Sequence, residues 1–419
     1  MSYGRERWPV RGRMGQRLVV ILWCMVLVLA IAPTTANAQE PGDAPVSETI
    51  LEAEVGFVRQ EGQVEEYDGQ PQFYQQLDVI IRSGPRRGEV VVVENGPLPE
   101  VNAQHYRPGD RLFLRENLDP AASTAYVIEG RSRWRSLVLV ILVFVGAVVL
   151  VARWRSLPSL LGLALSFAVL LYFILPRLAA GANPLFTILV GSILIVPASF
   201  YLAHGLSAKT SVAIVGTAIS LVLTLVLAQL FVRSTGLTGY ASEEAAFLQT
   251  QSSQTLSIRD LLIAGIIVGV LGVLDDVTIA QASTVQELQR ANAELGTWEL
   301  FQRAMRVGRD HIASVVNTLV LVYAGASLPL LLLLRTSPLP LTYMVSQEII
   351  AEEVVRTMVA SIGLLIAVPI TTWLAAVVVV RLQAKTSSGS QQAPGEHNVL
   401  GKEMPGTGKD RPNPGTPDI

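Results

Sequence analysis

The chain has 419 residues, half of them hydrophobic and only 16% charged, whereas soluble domains carry about a quarter charged residues, so an ordinary soluble protein is excluded. The formal net charge of −2 hides an acidic segment, 39–130, with seven Arg, no Lys and seventeen Asp plus Glu, net −10, which argues against nucleic acid as a partner. The single cysteine, Cys24, excludes an intrachain disulfide.

Arg5, Arg7, Arg11, Arg13 and Arg17 precede a short apolar core, 18–32, and Ala36-Asn37-Ala38 offers small residues in an A-x-A arrangement. This predicts a signal peptide over 1–38, with an uncleaved anchor as the alternative; both place the next domain outside the cytoplasm. Residues 41–47 read as a linker. Short β-rich runs follow at 51–59, 73–82, 88–94, 110–115 and 125–129, separated by Ser83-Gly84-Pro85, Asn95-Gly96-Pro97 and Pro108-Gly109-Asp110. Leu77, Val79 and Ile81 share one face, and the unbroken apolar run 90–93 reads as a buried strand. The expectation is a small all-β, barrel-like domain over 39–130, of the OB or SH3-like type. His105 stands apart from other ligand-type residues, so it reads as a loop residue; no metal and no cofactor are expected.

Seven apolar segments follow: 136–152, 157–175, 185–203, 211–232, 261–280, 312–334 and 357–380. Each approaches the roughly 20 residues that a spanning helix needs. The fold class expected is therefore an α-helical polytopic bundle of about seven spans over 131–380, behind the signal peptide and the β-domain. Nine basic residues fall on the inner side against five on the outer side, and all four lysines are inner. Arg131, Arg133 and Arg135 oppose this orientation, which the signal peptide nevertheless sets. The stretch 283–310 reads as an inner loop of two short helices, with Thr297 as an N-cap. Residues 381–419 read as a disordered cytoplasmic tail.

The chemistry concentrates in the last three spans. Asp275 and Asp276 lie side by side in the apolar stretch 261–286, with no other charge between Asp260 and Glu287. Carboxylates are expensive in a bilayer and usually face a bundle interior or a wet cavity. Thr278, Gln281, Asn317, Ser327 and Ser361 complete a candidate ion or substrate path, with Asn317 as the buried polar group of the sixth span. Asp310 reads as an N-cap of that span, with His311 beside it. Glu348, Glu352 and Arg356 share a helix face, and Glu352 to Arg356 has the favourable order for an ion pair. These five are candidate gating or structural groups. Gly325, Ser327 and Pro329 are expected to kink the sixth span, and Gly363 and Pro369 the seventh. Residues 348–380 would make a helix about 50 Å long, which must protrude, break or re-enter.

An enzyme is not expected. A Ser327–His311 pair would stand about 24 Å apart on one helix. An aspartyl pair would need Asp310, which lies at a span boundary. The sequence has no phosphate loop, zinc spacing or nucleophile elbow.

The run 274–278 (LDDVT), continuing through Gln281-Ala282-Ser283 to Glu287-Leu288, resembles the YibE/F-like family of bacterial membrane proteins. The stretches Gly308-Arg309-Asp310-His311, Asn317-Thr318-Leu319 to Pro329, and Glu352 to Gly363 fit as well, and the resemblance extends over 51–380. It implies an extracytoplasmic β-rich region followed by several spans, and pairs Asp276 with the family's aspartate. The reading of the whole is a multi-pass inner-membrane permease with a proton- or cation-binding carboxylate in the fifth span. Its expected partners are the lipid bilayer, a small-molecule or ion substrate and a second copy of itself. The alternative is a non-transporting envelope sensor or assembly factor whose outer β-domain binds a partner.

Overall fold

The computed structural model describes residues 50–65, 71–96, 104–117, 125–251 and 257–390. The signal segment, Cys24, the linker at 41–47 and the tail from 391 onward lie outside them. The chain divides into two compact units, with the boundary between Ala168 and Val169.

The first unit opens with five strands: β1 (Ile50–Glu65), β2 (Pro71–Ile81), β3 (Val90–Asn95), β4 (Arg111–Glu116) and β5 (Tyr126–Arg131). They form one antiparallel sheet in the order β3-β2-β1-β4-β5. With β1 paired on both sides, this is the connectivity of an OB-type Greek-key barrel. β1 serves both neighbours because bulges near Gly56 and Arg59 bend it away from a straight ladder with β2. Alternation sends Leu51, Ala53, Val55, Leu77, Val79, Ile81, Leu112 and Leu114 into one core. β3 differs from expectation. It lies at the end of the hydrogen-bonded order, so Val93 is buried while Val90 is 58% exposed.

One polar and one steric device hold the loops of this domain. The buried Gln75 side chain accepts from Tyr106 N at 2.9 Å and donates to Tyr106 O at 3.0 Å, tying the 104–110 segment to β2. Gly96 takes φ +90°, and a Cβ there would collide with the Phe73 carbonyl, so the turn admits only glycine. His105 is exposed, stacked on Phe73.

Helices follow. We number them α1 (Trp134–Ala152), α2 (Leu157–Ala179), α3 (Pro184–His204), α4 (Ala208–Ser234), α5 (Glu243–Gln251) and α6 (Ile258–Ala291). Next come α7 (Thr297–Ala326), α8 (Leu328–Thr336), α9 (Leu341–Val345) and α10 (Glu348–Ser390). Six of them are long and apolar enough to cross a membrane, and α7 with α8 makes a seventh candidate bent by 67°. The unit boundary falls inside α2. There a π turn at Leu170–Ile174 sits just before Pro176, which has no N–H to give the carbonyl four residues back.

In the second unit, α4, α6 and α10 pack on one another, with α3 against α6 and α7 against α10 and α6. Close approach depends on small residues. A Cβ on Gly216 of α4 would strike Thr371 of α10, and one on Gly363 of α10 would strike Thr224 of α4. Val277, Leu319, Leu364 and Val368 close the α6–α7–α10 seam.

Four expectations are corrected. The inner loop at 283–310 is mostly helix: α6 runs on to Ala291, α7 starts at Thr297, and only 292–296 connect them. Gly296, not Thr297, is the N-cap of α7. Ser327 and Pro329 break the sixth span as expected, whereas α10 runs as one helix through both Gly363, which packs on Thr224, and Pro369, so the seventh span is not broken. α10 also reaches Ser390, ten residues beyond the seventh span expected from hydropathy.

Candidate functional site

The polar groups of α6 are spaced three residues apart, Asp275, Thr278 and Gln281. Three residues fall about 60° short of a full turn, so the series sweeps around the helix. Each member therefore meets a different neighbour. Asp275 Oδ2 accepts from Ser199 Oγ of α3 at 3.5 Å. Thr278 shares a 2.7 Å hydroxyl–hydroxyl bond with Thr217 of α4. Gln281 Oε1 accepts from Thr372 Oγ1 of α10 at 3.1 Å, while its amide nitrogen lies against Gly308 of α7.

The result is a polar seam through the centre of the bundle. Thr217, Thr278, Gln281, Thr371 and Thr372 on it are at most 1% exposed. The single Thr372 hydroxyl proton is shared with a second acceptor, Val368 O at 2.6 Å. Two oxygens on the seam have no hydrogen-bond partner and no contact with solvent: Asp275 Oδ1 and Thr371 Oγ1. Asp275 is half-buried as a residue, whereas Asp276, about 100° further round the helix, is exposed. Lys209 Nζ donates to Ser283 Oγ at 3.5 Å and marks a charged end of the bundle. Asp275 lies about 12 Å from that level along α6, inside the apolar part of the span.

The other end carries a second carboxylate cluster. Glu348 Oε1 accepts from Thr238 N at 2.5 Å, Thr238 Oγ1 at 2.6 Å and Gly239 N at 2.9 Å. It thereby clamps the loop after α4 to the start of α10, a structural arrangement of a carboxylate in a backbone nest. Arg259 Nε donates to Leu237 O at 2.9 Å and holds the same loop from α6. Glu352 is buried, with Oε1 unpartnered. Arg356 pairs with Glu353 at 2.9 Å rather than with Glu352, correcting the expected i, i+4 pair.

The remaining predicted residues do not join the seam. Asp310 stands in the middle of α7, exposed, and caps nothing. His311 is half-buried with Nε2 unpartnered. Asn317 is exposed, on the side of α7 turned away from α6 and α10, so it is not the buried polar group expected. Ser327 sits at the bend. Ser361 is buried but donates to Thr357 O of its own helix at 2.9 Å.

Residues 140–381, more than half the chain, match the family described as YibE/F-like protein. The chain belongs to the YibE/F-like family. No curated protein and no solved structure matches it. In this YibE/F-like protein the match begins within α1, so the β-domain lies outside it, although the resemblance read from the residues had reached back to Leu51. All of the seam lies within the match. With six or seven apolar helices among the described residues, this YibE/F-like chain is a membrane protein.

Ser199 and Thr217 escaped the sequence reading. Thr217 carried a usable signal: Thr210, Thr217, Ser220 and Thr224 recur at helical spacing and are all fully buried. Ser199 carried none, since a lone serine in an apolar helix most often bonds its own backbone, as Ser199 also does to Val196 O at 3.2 Å.

Proposed function

We propose that this membrane protein is a permease-like carrier of a small solute or ion, and that Asp275 is the group that takes up a proton or a small cation. The supporting observation is its Oδ1 atom, secluded from solvent and without a hydrogen-bond donor, at depth in a candidate span. A carboxylate oxygen there requires compensation by a proton, a cation or water. Among the described residues Ser199 is the side chain that donates to its other oxygen, at 3.5 Å, with a single proton that Val196 O also attracts, which leaves room for an exchangeable occupant. Thr217 and Thr278 extend the polar surface inward from Asp275. In this reading the protein is not an enzyme, sits in the inner membrane and exposes its β-domain outside the cytoplasm.

The test is reconstitution into proteoliposomes with an imposed pH gradient, an interior pH dye and a panel of small cations and anions. Flux in the wild type that disappears in Asp275→Asn and persists in Asp276→Asn supports the reading. Equal flux in wild type and Asp275→Asn, for a solute shown to be carried, refutes it. If no solute moves and deletion of 39–130 alone abolishes the cellular phenotype, the sensor or assembly reading takes its place.

A further inference from the structure

At the end of the bundle opposite Lys209, α10 carries a buried carboxylate that the polar seam does not use. Glu352 is 8% exposed, and its Oε1 atom is secluded from solvent without a hydrogen-bond donor. Its neighbours are committed elsewhere. Glu348, one turn before it, accepts from Thr238 and Gly239. Arg356, one turn after it, pairs with Glu353 and leaves its own Nε unpartnered. Three carboxylates, Glu348, Glu352 and Glu353, thus share one guanidinium at the start of α10. Among the described residues the elements packed on α10 bring Glu352 no further cation. The loop after α4 presents the Ala241 amide to it. Arg259 of α6 is turned to Leu237 O, and Arg233 at the end of α4 is exposed. From α7, Tyr323 faces Arg356 and Glu353. The short α9 has no charged residue, and its Tyr343 is exposed.

We infer that Glu352 is a second proton-binding site, and that it is the port through which protons enter or leave at this end of the path served by Asp275. A carboxylate oxygen buried without a donor persists only if its charge is removed or matched. The one guanidinium within a turn is already paired, so a proton is the occupant that fits. Unlike a metal cation, a proton requires no cavity and no set of six or so oxygen ligands. Glu348 and Glu352 divide the work: Glu348 clamps the loop as an anion held by three donors, and Glu352 carries the proton. The position suits a port. Thr372 of α10 is level with Gln281 of α6 through their 3.1 Å bond. Counting along both helices from there sets Glu352 about 20 Å from Asp275, toward the loop after α4. From Thr217 on the seam, Ser220 and Thr224 of α4 continue the line of buried hydroxyls in that direction. The port role rests on the permease reading; the proton on Glu352 does not.

The test uses the full chain reconstituted in lipid vesicles. Infrared difference spectra between acidic and strongly alkaline pH, in an Asp275→Asn background, are expected to show the carbonyl band of a buried carboxylic acid. Adding Glu352→Gln should remove that band, and adding Asp276→Asn should leave it. Glu352→Gln keeps the length of the side chain, and its thermal midpoint checks that it folds; Glu352→Asp, which keeps an acid, should keep a band. For the port, proton flux read by an interior pH dye with Asp275 intact is expected to be lost in Glu352→Gln and restored in part by Glu352→Asp. No band in Asp275→Asn, or a band that outlasts Glu352→Gln, would overturn the proton site. So would thermal stabilisation by sodium or calcium that depends on Glu352, which would make the occupant a metal cation. Unchanged flux in Glu352→Gln would overturn the port. A wild type that moves no protons removes the port together with the permease reading, while the band still decides the proton site by itself.

Discussion

Gly216 sets the distance between the two longest-packed helices of the bundle, and replacing it with alanine has a calculable outcome. The new Cβ would stand 3.1 Å from Thr371 Cβ and 3.3 Å from Cγ2, and closer still to Oγ1. Thr371 is fully buried, so it cannot swing into solvent, and α4 and α10 must part by a few tenths of an ångström or more. Overpacking of this kind costs about 1–3 kcal/mol. At about 2 kcal/mol, the unfolding midpoint of a unit this size falls by roughly 4–8 °C. Thr371→Ala alone is expected to be nearly neutral, because the oxygen it removes has no hydrogen-bond partner and its loss offsets the missing methyl contacts. The double variant Gly216→Ala/Thr371→Ala should recover most of the midpoint, a coupling of about 1 kcal/mol or more between touching residues. The assay is thermal unfolding of purified protein in detergent at one scan rate. A Gly216→Ala midpoint equal to wild type, or additive effects in the double variant, would refute the packing argument.

Glu348→Ala removes the acceptor of three hydrogen bonds and leaves the Thr238 and Gly239 amides unpaired; hydrogen exchange at those two amides is expected to accelerate by at least about tenfold. Glu348→Gln, which keeps one acceptor oxygen but loses the charge, should fall between. Gln281→Leu deletes the bond to Thr372 and presses a branched side chain toward Gly308, so a loss of about 1–3 kcal/mol in thermal stability is expected, against little change for Asp276→Asn on the exposed side. In the β-domain, Gln75→Leu removes the acceptor of the Tyr106 amide, and its exchange protection should drop by about one to two orders of magnitude while the sheet amides keep theirs.

The membrane character and the β-domain were legible because both rest on patterns that local chemistry enforces. Apolar runs of about 20 residues and the alternation at Leu77, Val79 and Ile81 each reproduce in the coordinates. Helix ends within polar stretches were not legible. Residues 297–310 are charged on one side only, and the sequence reads them as the second short helix of an inner loop, whereas packing on α10 makes them continuous with the sixth span. Pro369 and Pro329 show the same limit. One is absorbed in a long helix and the other accompanies a sharp break, and the difference is tertiary support rather than residue type. At the site, composition identified the aspartate pair but not which member faces inward, because that depends on the rotation of α6 against α3. Asn317 was assigned to the interior on chemical type alone, and the opposite face of α7 turned out to do the packing.

The account depends most on Asp275 being the side chain that exchanges a proton or cation within the bundle. Infrared difference spectra of the lipid-reconstituted protein, taken between acidic and alkaline pH, read this directly through the carbonyl band of a protonated carboxylic acid. The prediction, read in a Glu352→Gln background so that the other buried carboxylate contributes nothing, is a band of buried-acid character with Asp275 intact and in Asp276→Asn that is absent from Asp275→Asn. A band that survives Asp275→Asn, or that disappears only in Asp276→Asn, would contradict it.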